Sequence, residues 1–127
     1  MPAFYLDASA VVKHYLPEAG SDLVSQLLVE PASGDSFHTS LLSTVEVASA
    51  IYRQVRAGRL ERPWARAALT RFGATLAAQF TVWPLREETT AAAVLVAEEH
   101  GLRAQDALHL ATALGIAALA PRSRCCW

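Results

Sequence analysis

Three acidic residues stand where one predicted element gives way to the next: Asp7, Glu46 and Asp106. Asp7 closes the apolar run Ala3-Phe4-Tyr5-Leu6, while Glu46 and Asp106 lie near the starts of otherwise apolar helical stretches, Ser43-Thr44-Val45-Glu46-Val47-Ala48 and Asp106-Ala107-Leu108-His109-Leu110-Ala111. Charged side chains seldom lie among apolar ones unless they are paired or bind a metal. Clustered carboxylate oxygens are what hard divalent cations such as Mg2+ or Mn2+ prefer, and the cation offsets the repulsion between the acids. Each acid also has an ordinary structural role open to it. Asp7 suits a helix N-cap, unless Ser9 takes that place, and Glu46 and Asp106 suit first turns favoured by the helix dipole. The case for chemistry rests on convergence, because three element ends can meet at one edge of a sheet. A softer metal site has no support: Cys125 and Cys126 are adjacent, a spacing that matches neither a disulfide framework nor a zinc site.

The elements that must position these acids can be read from pattern. Residues 3–6 predict a short buried strand, stopped at Asp7. A helix from Ser9 to Tyr15 is closed by Pro17 and Gly20, and a second runs from Ser21-Asp22 to Pro31 with Leu23, Val24, Leu27 and Leu28 on one face. A turn at 33–36 leads to a strand at 37–39. Ser43 or Thr44 is the expected cap of a helix reaching about Ala57, and Pro63 suits the first turn of another reaching about Gln79. Phe80-Thr81-Val82-Trp83 predicts a third strand, followed by helices at 87–100 and 105–119. Strands alternating with helices imply an α/β fold around a parallel sheet. In such sheets ligands bind at the carboxyl ends of the strands, where Asp7 falls.

The totals set bounds. A chain of 127 residues, 53% hydrophobic and 18% charged, suits one domain spanning residues 1–127 with a real core. A net charge of −1 gives no global attraction to nucleic acid, so any such partner needs a local patch or metal ions. The N-terminus lacks a signal-peptide pattern, and the apolar stretch 108–121 is too short to span a bilayer; a cytoplasmic protein with no membrane partner is expected.

Leu6-Asp7-Ala8-Ser9-Ala10, Ser43-Thr44-Val45-Glu46-Val47 and Arg103-Ala104-Gln105-Asp106-Ala107-Leu108-His109-Leu110-Ala111 resemble the three motif blocks of PIN-domain proteins. The nearest likeness is to VapC-type toxins of bacterial toxin–antitoxin pairs, over residues 3–116. The resemblance implies a three-layer α/β/α fold and Mg2+- or Mn2+-dependent hydrolysis of RNA phosphodiesters, leaving 5′-phosphate and 3′-hydroxyl ends. It also implies a homodimer inhibited by a cognate antitoxin protein. By position, Asp7, Glu46 and Asp106 match the catalytic, metal-binding acids, and Ser9 matches a hydroxyl that holds a metal through water. His109 fits the motif and is expected to be structural.

The tail of residues 117–127 departs from that pattern. The resemblance implies a further parallel strand with a fourth acid beside the first strand, yet no Asp or Glu follows Asp106. Two origins compete for this ending: a shifted reading frame near residue 115, or a genuinely short terminus covered by another chain. The C-terminal strand is therefore expected to be truncated or altered, and the tail from Pro121 loosely ordered or held by a neighbour. The alternative to a nuclease is a PIN-fold protein, impaired in catalysis, that acts as an antitoxin-binding module.

Of the eleven basic residues, Arg53, Arg56, Arg59, Arg62, Arg66 and Arg71 gather on two successive helices. Arg53, Arg56 and Arg59 are the candidates for substrate contact. A solvated helix face would also account for the cluster, as would stems lining a protein-binding groove beside Trp64. Leu23, Leu27, Leu28, Val55 and Trp64 are expected to form an apolar groove for the antitoxin.

Overall fold

A computed structural model of the chain describes residues 2–16, 21–30, 34–119 and 124–125. In chain order the elements are β1 (Ala3–Tyr5), α1 (Ala8–Val12), α2 (Ser21–Val29), β2 (Ser36–Ser40), α3 (Leu42–Arg56), α4 (Arg62–Gln79), β3 (Phe80–Trp83), α5 (Glu87–His100), α6 (Ala104–Leu119) and β4 (Arg124–Cys125). The stops expected at Pro17, Gly20, Pro31 and Pro121 lie outside the described residues, as does the conformation of the tail from Pro121 apart from the backbone of 124–125.

The strands pair in the order β3-β2-β1-β4, all parallel. Successive residues of a strand face opposite sides of the sheet, and this period sorts the core into layers. Phe4, Phe37 and Phe80 are register partners across β1, β2 and β3, and their rings follow one another at centroid distances of 5.7 and 5.9 Å. On that side they join Leu6, Val11, Tyr15, Leu28, Val47, Ile51, Phe72 and Leu76, contributed by the β1–α1 segment and α2, α3 and α4. Tyr5, one residue on, faces the other way and packs with Trp83, Ala113 and Ile116 of α6. Small residues, Ala93 of α5 with Ala107 and Ala111 of α6, let those two helices pack closely. The result is a three-layer α/β/α arrangement.

The helix ends show why the elements stop where they do. Gly101 closes α5 in the left-handed conformation at φ 63°, with its N–H bonded to Ala97 O. At the start of α3 the expected cap moves. The helix begins at Leu42, whose N–H is taken by Ser40 Oγ at 3.1 Å, while Thr44 turns its hydroxyl back to Leu41 O. Ser43 is fully buried and bonds Thr39 instead.

β4 modifies the expectation of a lost strand. Arg124 and Cys125 occupy the place beside β1, in register with Phe4 and Tyr5. Pairing on that flank is thus present at the described residues 124–125, while no Asp or Glu follows Asp106 in the sequence.

Candidate active site

Parallel topology decides which side chains share an edge. The chain moves outward from β1 to β2 to β3, then returns to the other flank of β1 through α6 and β4. The order therefore reverses beside β1, and the carboxyl end at such a reversal is where open α/β sheets hold ligands. Asp7 follows β1 at this end. α3 leaves the carboxyl end of β2, with Leu41 N–H bonded to Trp83 O of β3 at 2.8 Å. α6 runs back toward β4, so its first turn, carrying Asp106, begins at the same edge.

Asp7 is the N-cap of α1. Its Oδ1 accepts from Ala10 N–H at 2.9 Å and from the Ser9 hydroxyl at 2.8 Å. The expectation that Ser9 could cap the helix and free Asp7 is thereby corrected: Ser9 braces the capping carboxylate. Among the described residues Oδ2 has no hydrogen bond. Behind Asp7, the buried Thr39 hydroxyl donates to Leu6 O at 2.6 Å and meets Ser43 Oγ at 2.7 Å, tying β1, β2 and α3 together at the edge.

Glu46 is partly buried, and its Oε1 lies 2.5 Å from His109 Nε2. The other ring nitrogen, Nδ1, is 2.7 Å from the Tyr5 hydroxyl. Burial pushes the Tyr5 phenol above its ordinary pKa; a hydrogen bond with Thr112 tempers this, and the charges of Asp7 and Glu46 add to it. Tyr5 therefore stays a neutral hydroxyl, and it senses two of the three candidate acids.

Asp106 is exposed on the first turn of α6. The structure thus brings Asp7, Glu46 and the His109 turn to one edge without drawing the three acids into a chelate. Among the described residues, no group of three or more His, Cys, Asp or Glu side chains is close enough to hold a metal ion. Asp22 and Glu88, which could have supplied a further carboxylate, are exposed. The donors that are present, two carboxylates and the Ser9 hydroxyl, are hard oxygens and suit Mg2+ or Mn2+ in kind.

Residues 4–119 match the family model described as PIN domain. The chain belongs to the PIN domain family. A comparison with curated proteins found no match. PIN domains are generally metal-dependent nucleases, and this one has the nuclease-type fold.

Two hollows flank Glu46 in this PIN domain. One, of about 350 Å³, is lined by Ala8, Ser9, Val12, Leu16, Ala50 and Gln54; the other, of about 360 Å³, by Leu42, Val45, Ser49 and Gln105; Glu46 and Arg53 line both. This separates the three candidate substrate arginines. Arg53 shares the face of α3 that carries Glu46 and donates to Ser49 Oγ at 3.1 Å. Arg56 lines a different hollow with Tyr52 and Arg62, and Arg59 donates to Gln54 Oε1 at 3.2 Å. Arg62 and Arg71 lie over the Tyr52 and Tyr15 rings in cation–π contacts.

Sequence reasoning missed Tyr5 and the Thr39–Ser43 pair. The available signal was a single phenol inside an apolar strand, because a buried tyrosine hydroxyl usually finds a partner. Of the expected apolar groove, Leu28 belongs to the core, Leu27 and Val55 are half-buried against it, and Leu23 and Trp64 are exposed. No helix among the described residues is long and apolar enough to cross a membrane.

Proposed function

We propose that this PIN domain is a divalent-metal-dependent endoribonuclease of the VapC toxin type. The observation that carries the reading is the meeting of Asp7, Glu46 and the first turn of α6 at the carboxyl edge beside β1, in a chain whose family is generally nucleolytic. Asp7 and Glu46 hold the cation, with Asp106 as third ligand and Ser9 contributing through water. What Mg2+ or Mn2+ supplies when bound is Lewis acidity and charge neutralisation at the phosphate. The protein's own part is positional. The α1 cap and the Ser9 bond fix the Asp7 carboxylate, His109 fixes that of Glu46, and Arg53 contacts an RNA phosphate running along the two hollows. An inhibitory antitoxin and a second copy of the chain are the protein partners of this reading, with exposed Leu23 and Trp64 as apolar surface for them.

The test is incubation of the purified protein with structured RNAs in Mg2+, in Mn2+ and with EDTA. Cleavage that requires the cation, stops with EDTA and disappears in Asp7→Asn and Glu46→Gln supports the proposal. Cleavage that persists in EDTA, or in those variants, overturns it.

A second reading is favoured by one observation: three acids are not grouped among the described residues, and none follows Asp106 in sequence. It makes the chain an impaired PIN-fold module that binds an antitoxin and cuts nothing. Calorimetric titration with Mn2+ separates the two, since the module binds none.

A further inference from the structure

α3 and α6 touch at the edge through a polar contact, and that contact continues inward to β1. The His109 side chain is only 3% exposed, and its two ring nitrogens face different partners, Glu46 Oε1 and the Tyr5 hydroxyl. The partners dictate the tautomer. An ionised carboxylate only accepts hydrogen bonds, so Nε2 must carry a proton; a neutral imidazole then has its lone pair on Nδ1, which the Tyr5 O–H fills. The Tyr5 ring meets the imidazole edge-on, at a centroid distance of 5.9 Å and 67° between planes, and this limits rotation of the histidine. A histidine that merely fills a core needs one partner for its N–H. Here the N–H is spent on an acid of the candidate site, and the second nitrogen is committed to keeping it there.

We propose that His109 is a positioning residue, its Nε2 proton fixed by Tyr5 so that it clamps Glu46 Oε1 and leaves Oε2 to face the cation. The proposal rests on the nuclease reading above. It also accounts for a feature that the acids alone leave open. Glu46 has a flexible side chain and no other hydrogen bond among the described residues, so without the imidazole its carboxylate would sample several rotamers at the edge. Outer partners that orient a metal ligand typically change metal affinity or activity by about 10- to 100-fold when removed.

The experiment compares wild type, His109→Leu and His109→Gln, all full length. The glutamine amide places an N–H near the position of Nε2 and restores the clamp without an imidazole. Mn2+ affinity is read by calorimetry, RNA cleavage as kcat and KM, and folding by thermal melting. In metal-free wild type, ring 15N NMR reads the tautomer directly. The expected results are an Nε2–H tautomer, Mn2+ binding weakened at least about tenfold in His109→Leu, and recovery to within about threefold in His109→Gln, with kcat following affinity. A ring carrying its proton on Nδ1 overturns the proposal, and so do folded His109→Leu and His109→Gln proteins that bind Mn2+ like wild type. Wild type with no Mn2+ affinity overturns the nuclease reading, and the positioning role falls with it. Mn2+ binding by wild type that is indifferent to the leucine removes the positioning role alone.

Discussion

Replacing Thr39 with valine changes little in shape but removes the hydroxyl that ties three elements together behind Asp7. Thr39 and Ser43 are both fully buried, and the direction of their bonds can be worked out. A carbonyl cannot donate, so the Thr39 proton goes to Leu6 O at 2.6 Å; the Thr39–Ser43 bond of 2.7 Å must then be donated by Ser43. Thr39→Val therefore removes a donor from Leu6 O and strands the Ser43 proton with no acceptor. A buried polar group left without a partner costs about 1–3 kcal/mol. The expected loss is about 2–3 kcal/mol, or a fall in Tm of roughly 6–12 °C at about 3–4 °C per kcal/mol for a chain of this size. Ser43→Ala leaves the Thr39–Leu6 bond intact and should cost only about 1 kcal/mol. The double variant carries no stranded serine proton, so its cost should fall short of the sum of the single costs by about 1 kcal/mol. Urea denaturation of the four proteins at pH 7.5 closes the cycle. A Thr39→Val loss below about 0.5 kcal/mol, or strict additivity, would refute this direction of donation.

Asp7 has two roles that two substitutions separate. Asp7→Asn keeps a good cap and should lose RNA cleavage with stability nearly unchanged, whereas Asp7→Ala should lose cleavage and about 1 kcal/mol, measured by denaturation beside the RNA assay. Gly101 sits at φ 63° with open space where a Cβ would be, so Gly101→Ala should cost about 1 kcal/mol from backbone strain alone, and an unchanged urea midpoint would contradict this. His38 is held below its ordinary pKa of 6.5 by burial, and its Nδ1 accepts the Trp83 Nε1–H at 3.0 Å. Its folded pKa is depressed, so its contribution to stability is full above pH 6.5 and is lost as pH falls through the folded value; His38→Asn, which keeps an acceptor for Trp83, should flatten the slope of stability between pH 7 and 5.

Strand and helix identities were legible because each element has a long enough pattern or a hard stop. Phe80-Thr81-Val82-Trp83 ends at Pro84, and the helix at 87–100 ends at Gly101; both fall where the pattern puts them. Where local rules offered several hydroxyls for one task, the sequence could not choose. Ser43 and Thr44 were the expected caps of α3; tertiary contact with Thr39 took Ser43 into the interior, Thr44 bonds Leu41 O, and Ser40, which the sequence reading did not offer, serves Leu42 N–H. Ser9 and Asp7 competed for one cap, and the ionised acceptor took it while the hydroxyl, which can also donate, supported it. The Tyr5–His109–Glu46 chain was the least legible part. Tyr5 and His109 are 104 positions apart, and they meet because α6 starts at the carboxyl edge and runs back antiparallel to β1.

For each acid, the structural role and the chemical one began as rivals, and at Asp7 the structure removes the rivalry. Capping engages Oδ1 alone, and among the described residues Oδ2 stays free of hydrogen bonds. A cap is an advantage for a ligand, because it holds a short carboxylate in one rotamer at the carboxyl edge and satisfies the oxygen that does not face the cation. Glu46 follows the same logic by another route. It stands too far along α3 for a cap, so the fixed oxygen is satisfied across the molecule by His109. Asp106 has the weakest support among the described residues: it is exposed, in the first turn of α6, where the helix dipole favours a negative charge. The three acids thus form a gradient from braced to free. Under the nuclease reading, Asp7 and Glu46 would supply the rigid half of a cation site and Asp106 the less constrained half. Substitution should follow that gradient: Asp106→Asn should weaken Mn2+ binding with no loss of stability, whereas Glu46→Gln should weaken both, because the amide exchanges a charged acceptor for a neutral one opposite a buried N–H. An Asp106→Asn protein that melts lower than Glu46→Gln would reverse the order and place the rigid support on α6 instead of on β1 and α3.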